Sequence, residues 1–155
     1  MGLVLLLFAG AAGCAVGSPS TFALSSASVD NTYVCPSGAS NAPYNLHATI
    51  GVRNGTTTSV TIKSVAAVLT LAAVKGSWLE KVGDKYEATG AAFSPASVGA
   101  GSSTSLQVAI PSACTKGTIP STATSYGEYS VGLSVTTSSG TYKIKSENRH
   151  RIVAD

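Results

Sequence analysis

The chain has 155 residues, the length of one domain, which leaves no room for a two-domain enzyme. Hydrophobic residues make up 44% and charged residues only 11%, while Ser and Thr together supply roughly a quarter of the chain, well above ordinary usage. Ten basic against seven acidic groups leave a net charge of +3, too small to argue for nucleic acid, whose binders carry clustered Lys and Arg; the composition suits an exported, polar but uncharged β protein.

Leu3 to Ala9 is an apolar run shorter than the roughly 20 residues that span a bilayer, and it reads as the core of an export signal. No Lys or Arg precedes it, so the true start is expected upstream. Ala11-Ala12-Gly13-Cys14 resembles the lipobox of bacterial lipoproteins, with Ala11 in the place usual for leucine. That resemblance implies lipidation of Cys14 as the first mature residue. Plain secretion, with cleavage after Ala15 or Gly17, uses the same small-residue signal. Residues 1–17 are thus expected to be export segment and tether, and 18–155 the folded domain.

Phe22 and Leu24 supply a short first strand. From Tyr44 the chain alternates strictly, with Tyr44, Leu46, Ala48, Ile50 and Val52 on one face and Asn45, His47, Thr49, Gly51 and Arg53 on the other, the period of a half-buried strand. Asn54-Gly55 follows, a hairpin signal because both residues tolerate positive φ. It is also a glycosylation acceptor with Thr56, and is read here as the turn. Val60 and Ile62 open an apolar run to Val74, long enough to require a bulge near Ser64 or Ala66, with a short helix over Ala66–Ala73 as the alternative. Lys75 to Tyr86 reads as a hairpin turning at Gly83-Asp84. Leu106, Val108 and Ile110 alternate before Pro111. Tyr129, Val131, Leu133 and Val135 alternate before Ser138-Ser139-Gly140, and Tyr142 and Ile144 alternate with Lys143 and Lys145. About seven short strands separated by Gly, Ser, Asn and Pro predict an all-β, antiparallel sandwich.

Removing or lipidating Cys14 leaves Cys35 and Cys114 as an even pair in a compartment that permits disulfides. A bridge between them closes a loop of about 80 residues and stabilises by up to about 4 kcal/mol in the chain-entropy picture. The alternative is two unpaired buried thiols. Neither cysteine stands in the C-x-x-C spacing of redox or zinc sites.

Gly127-Glu128-Tyr129-Ser130-Val131 resembles the G-x-Y-x-C element that opens strand F of immunoglobulin-like domains, with valine in place of the cysteine. Ile50 to Thr56 and Val98 to Val108 are similar to strand-and-turn segments of secreted bacterial immunoglobulin-like and fibronectin-III-like modules. The chain departs from antibody-type domains in lacking a strand B cysteine and in placing Trp78 late. The resemblance implies strand A at Phe22–Ser28, B at Tyr44–Arg53, E at Leu106–Ile110 and F at Tyr129–Val135. Cys35 and Cys114 then fall in the A–B and E–F loops, at one pole, where a disulfide would staple the domain. It also implies a tyrosine corner, with the Tyr129 hydroxyl bonded to backbone around Thr124 to Tyr126.

Chemistry-bearing motifs are sparse. His47 and His150 lie on different elements, and His47 shares a polar strand face with Asn45 and Thr49, the setting of a solvated side chain. A Ser-His-Asp set drawn with Asp30 or Asp84 has no G-x-S-x-G elbow to support it. Gly99-Ala100-Gly101 lacks the Lys and Ser/Thr of a phosphate loop. No catalytic, cofactor or metal residue is assigned. Trp78 and Tyr86, set among lysines, form a candidate platform for a glycan or an anionic chain; the competing reading places the single Trp in the core. Lys143, Lys145, Arg149, His150 and Arg151 make a basic stripe that either meets an anionic polymer or lipid surface or guards an edge strand against pairing.

These features predict a non-enzymatic module exported to a bacterial surface or periplasm. Its expected partner is a protein or glycan, with no nucleic acid and no membrane contact beyond a lipid anchor. The alternative is a subunit of an extracellular fibre, self-associating through β-edges.

Overall fold

The computed structural model describes residues 21–116 and 124–154; the segment expected to direct export, with Cys14, lies outside them. In chain order the strands are β1 (Phe22–Val29), β2 (Thr32–Cys35), β3 (Ala42–Asn54), β4 (Val60–Lys75), β5 (Lys85–Ala88), β6 (Ala92–Ser94), β7 (Ser97–Val98), β8 (Ser103–Cys114), β9 (Ser125–Thr137), β10 (Gly140–Lys145) and β11 (His150–Ala154). One sheet has the order β1-β3-β8-β6, the other β2-β11-β9-β4-β5, with β10 beside β9 and β7 beside β4. In immunoglobulin lettering these are A-B-E-D and A′-G-F-C-C′, so the predicted A, B, E and F strands take their predicted places. The eleven segments exceed the expected seven partly because β1 with β2, and β10 with β11, are each one strand interrupted midway. Pairing is antiparallel except between β2 and β11, which run parallel.

The core follows from the period-two pattern. Leu46, Ala48, Ile50 and Val52 of β3 and Leu106, Val108 and Ile110 of β8 face Leu69, Leu71, Val131, Leu133 and Val135 of the other sheet, all buried. Each such Leu, Ile or Val contributes about 1.5–3 kcal/mol of transfer free energy. In β4 the buried positions change parity, from Val60 and Ile62 to Val65, Ala67, Leu69 and Leu71. A register shift between Ile62 and Ser64 supplies the extra residue that this change demands. β4 is thus one bulged strand, and the helical alternative for Ala66–Ala73 is ruled out. Pro111 continues β8 past the end of its β6 pairing, where a missing N–H leaves fewer ladder partners unmet.

Asn54-Gly55 is not a hairpin. β3 and β4 belong to different sheets, and the chain crosses between them here. Asn54 is 0% exposed. Its Nδ2 donates to the carbonyls of Thr58, Val98 and Gly99 at 2.8–3.1 Å, and its Oδ1 accepts from the Thr56 N–H and hydroxyl. The side chain thus ties the crossover at Thr56 and Thr58 to the end of β7 and the turn after it, and gives the Thr56 N–H its acceptor.

A second crossing separates β1 from β2, and the interruption between β10 and β11 holds it. Between the pairs Lys145↔Gly132 and His150↔Tyr129, β9 has two residues and the opposing chain four. The looped-out Asn148 accepts from the Val29 N–H at 3.0 Å and donates to the Val29 carbonyl at 2.7 Å. One amide side chain therefore replaces a backbone partner where β1 leaves its sheet.

Candidate functional site

Cys35 ends β2 and Cys114 ends β8, so their disulfide joins the two sheets. The Cα atoms are 6.0 Å apart and the residues are separated by 79 positions. Both were expected in loops. They stand instead on the last residues of strands, because the A strand switches sheets before Cys35 and β8 continues through Pro111.

Beside this bridge, the connection from β4 to β5 folds back onto the sandwich. Gly76 turns the chain with φ +72°. The Lys81 N–H then donates to the Asp84 carboxylate at 2.8 Å, the Asp84 N–H to the Lys81 carbonyl at 2.9 Å, and the Gly83 N–H to the Leu71 carbonyl at 2.8 Å. The hairpin expected over Lys75–Tyr86 with a two-residue Gly83-Asp84 turn does not form: residues 76–84 make no strand, and β5 pairs instead with Ala67–Thr70 of β4. This anchoring lays Trp78 over Gly127 of β9, where a Cβ would stand only 2.6–2.8 Å from indole atoms. The glycine of the G-x-Y element is thus the bed of the indole.

The indole N–H donates to the Tyr129 hydroxyl at 3.1 Å, and that hydroxyl donates to the Glu80 carboxylate. Tyr129 is buried within β9 and makes no tyrosine corner; its partners come from the β4–β5 loop instead of the upstream backbone. Burial, reinforced by the bond to Glu80, pushes the Tyr129 phenol well above its ordinary pKa. Trp78, Glu80, Tyr129 and Tyr86 line a cleft of about 230 Å³ that extends to Cys114 and Ile152. Trp78 is half-buried and neither wholly core nor wholly surface. Tyr86 is 42% exposed and bonds the Pro111 carbonyl at 3.4 Å.

The structure brings Trp78 and Tyr86 together and leaves Lys143 and Lys145 apart, on β10 beside a shallow depression over Ala66, Val68 and Gly132. β10 pairs only with β9, so these lysines do sit on an edge strand. The rest of the basic stripe is broken up. His150 is 1% exposed, while Arg149 and Arg151 both bind the Glu128 carboxylate, at 3.2 and 2.6 Å. Arg151 holds that carboxyl below the usual range. His47 is exposed and pairs with Asp30 at 3.0 Å, with no serine in hydrogen-bond reach of the pair among the described residues. Sequence reasoning missed Glu80 and the cleft role of Tyr129. The signal available for both was their sequence proximity to residues already singled out, Trp78 and Gly127.

No protein-family description matches the chain, and no curated protein does. Among solved structures it is similar to PapD-like domain 7 of human CEP192, at 17% identity over 99% of this chain and 94% of that one, with a TM-score of 0.34. It is also similar to AggA, the major subunit of aggregative adherence fimbriae type I of Escherichia coli, at 10% identity, 84% and 93% coverage and a TM-score of 0.37. The CooA pilin subunit of enterotoxigenic Escherichia coli gives 10% identity, 84% and 99% coverage and a TM-score of 0.34. The sandwich described above is identified by its own strand order.

Proposed function

We propose that the chain is a non-enzymatic, immunoglobulin-like module exported to a bacterial surface or periplasm, where it binds a partner at the disulfide-locked pole. The observation that carries the reading is the cleft in which Trp78 and Tyr86 flank Glu80 beside the Cys35–Cys114 bridge. A disulfide of this kind persists in oxidising compartments and not in a reducing cytosol. The chain also supplies its own G strand, β10 with β11, so the sandwich needs no strand from a neighbour. Lys143 and Lys145 on β10 discourage edge pairing. Lipidation at Cys14 would tether the module to a membrane without spanning it.

Fractionation of cells making the full chain, followed by light scattering at rising concentration, tests this. The expected result is an exported, disulfide-bonded monomer at every concentration. Filaments or open-ended oligomers would replace the module with the fibre subunit, and a reduced cytosolic protein would overturn export. Mass spectrometry of the native protein decides the anchor: diacylated Cys14 supports it, and an unmodified start at Val16 or Ser18 removes it.

A further inference from the structure

Among the described residues lining the cleft, Glu80 alone bears a formal charge. It enters none of the salt bridges among the described residues, although Lys81 follows it in sequence. Its hydrogen bond comes from a neutral phenol, which orients the carboxylate without neutralising it. The aromatic walls have committed their polar atoms elsewhere. The Trp78 N–H is bound to Tyr129 and the Tyr86 hydroxyl to the Pro111 carbonyl, so each offers a π-surface and no free donor.

That combination selects among ligand classes. An anion meets Glu80 and no cation, which disfavours the anionic chain considered from sequence. A neutral sugar would find hydrogen-bonding groups in Asn41, Ser77 and Thr115 of the lining, but it brings no positive charge to match the Glu80 carboxylate. An organic cation needs an electron-rich aromatic surface and a negative charge, and gains from both. The volume, about 230 Å³, is below the roughly 300–1,000 Å³ of sites for drug-sized ligands, which suits one compact head group.

We propose that the Trp78–Tyr86–Glu80 cleft binds a small quaternary ammonium solute, with its alkylated nitrogen against the two rings and beside the carboxylate. This deepens the binding-module reading and rests on it.

Trp78 is the only tryptophan, so its fluorescence reports on the cleft directly. Choline is titrated into the oxidised full chain, in parallel with its neutral isostere in which carbon replaces the quaternary nitrogen. The expected result is a saturable change with choline and binding of the isostere weaker by about tenfold. Glu80→Gln and Tyr86→Ala should each weaken choline by about tenfold as well, with thermal melts confirming that both variants fold. Lys143→Ala should leave binding unchanged. Equal affinity for choline and isostere would reduce the site to simple apolar contact and overturn the inference. A saturable response to glucose but not to choline would overturn it too, as would no response at all. An exported monomer that ignores choline defeats this inference alone, whereas filament formation defeats the module.

Discussion

The indole nitrogen of Trp78 donates to the hydroxyl oxygen of Tyr129 across 3.1 Å, linking a loop residue to a strand residue 51 positions away. Because Tyr129 passes its own proton toward Glu80, a single phenol on β9 orients both the aromatic wall and the carboxylate of the cleft. Tyr129→Phe removes both bonds and should cost about 0.5–1.5 kcal/mol for each. Tyr129→Ala should cost about 3–5 kcal/mol, the scale of aromatic truncation in a core. Urea denaturation measures both. An alanine variant as stable as the parent would contradict the burial of this ring.

Gly127 is the second support of Trp78. Gly127→Ala places a methyl group inside the indole's contact distance, so the ring must lift. The expected outcome is a loss of about 1–3 kcal/mol, as for other overpacked sites, with Trp fluorescence shifted to the red by new exposure to water. Unchanged emission would show that the indole does not lie on this glycine.

Replacing both Cys35 and Cys114 with Ser should destabilise the fold by about 2–5 kcal/mol, the usual cost of losing a native disulfide from a small domain. Comparing denaturation midpoints of the parent and the double variant tests this. Equal midpoints would mean that the bridge is not formed.

Asn54→Ala removes the side-chain bonds to the carbonyls of Thr58, Val98 and Gly99 and leaves the Thr56 N–H without its side-chain acceptor, which should cost about 1–3 kcal/mol. Asn54→Asp should be worse, because it turns a buried carboxylate toward three carbonyl oxygens. A neutral effect of Asn54→Asp on thermal unfolding would remove the crossover role. The same burial predicts that Asn54 carries no glycan when the chain passes through a glycosylating secretory pathway.

His150 supplies a pH dependence. Its Nδ1–H donates to the Asp30 carbonyl at 2.7 Å and its Nε2 accepts from the Tyr44 hydroxyl at 3.0 Å. Burial holds its pKa below the ordinary value, and the Asp30 carbonyl offsets this only in part. The unfolded ring titrates near its usual value of about 6.5. Between the folded and unfolded values the unfolded state binds more protons, so this contribution is fully present above about pH 6.5 and is lost as pH falls below it. His150→Gln should flatten that part of the profile. An unchanged slope between about pH 7 and pH 5 would place the dependence elsewhere.

What was legible beforehand was whatever a strand states about itself. The alternation of Leu46 to Val52 and of Tyr129 to Val135 defines two faces, and the parity change between Ile62 and Val65 demands a bulge. What was not legible depends on contacts distant in sequence. Asn54-Gly55 advertises a backbone that bends, but the bend does not say which sheet the next strand joins; the carbonyls of Val98 and Gly99 decide that. His150 reads as one more basic residue until β1 and β3 bring Asp30 and Tyr44 against it. Trp78 and Tyr86 were recognisable as a pair, yet Glu80 acquires its meaning only because Tyr129 reaches it.

The parallel pairing of β2 with β11 has a mechanical consequence. Tension entering at Phe22 and leaving at Ala154 draws β2 toward its beginning and β11 toward its end, so the register from Thr32 to Ala154 is loaded in shear. Its hydrogen bonds must then yield together and cannot be peeled open one at a time. Should they yield, the covalent link between Cys35 and Cys114 keeps the segment between them from lengthening the chain, so that only the strands outside the bridge can extend under load.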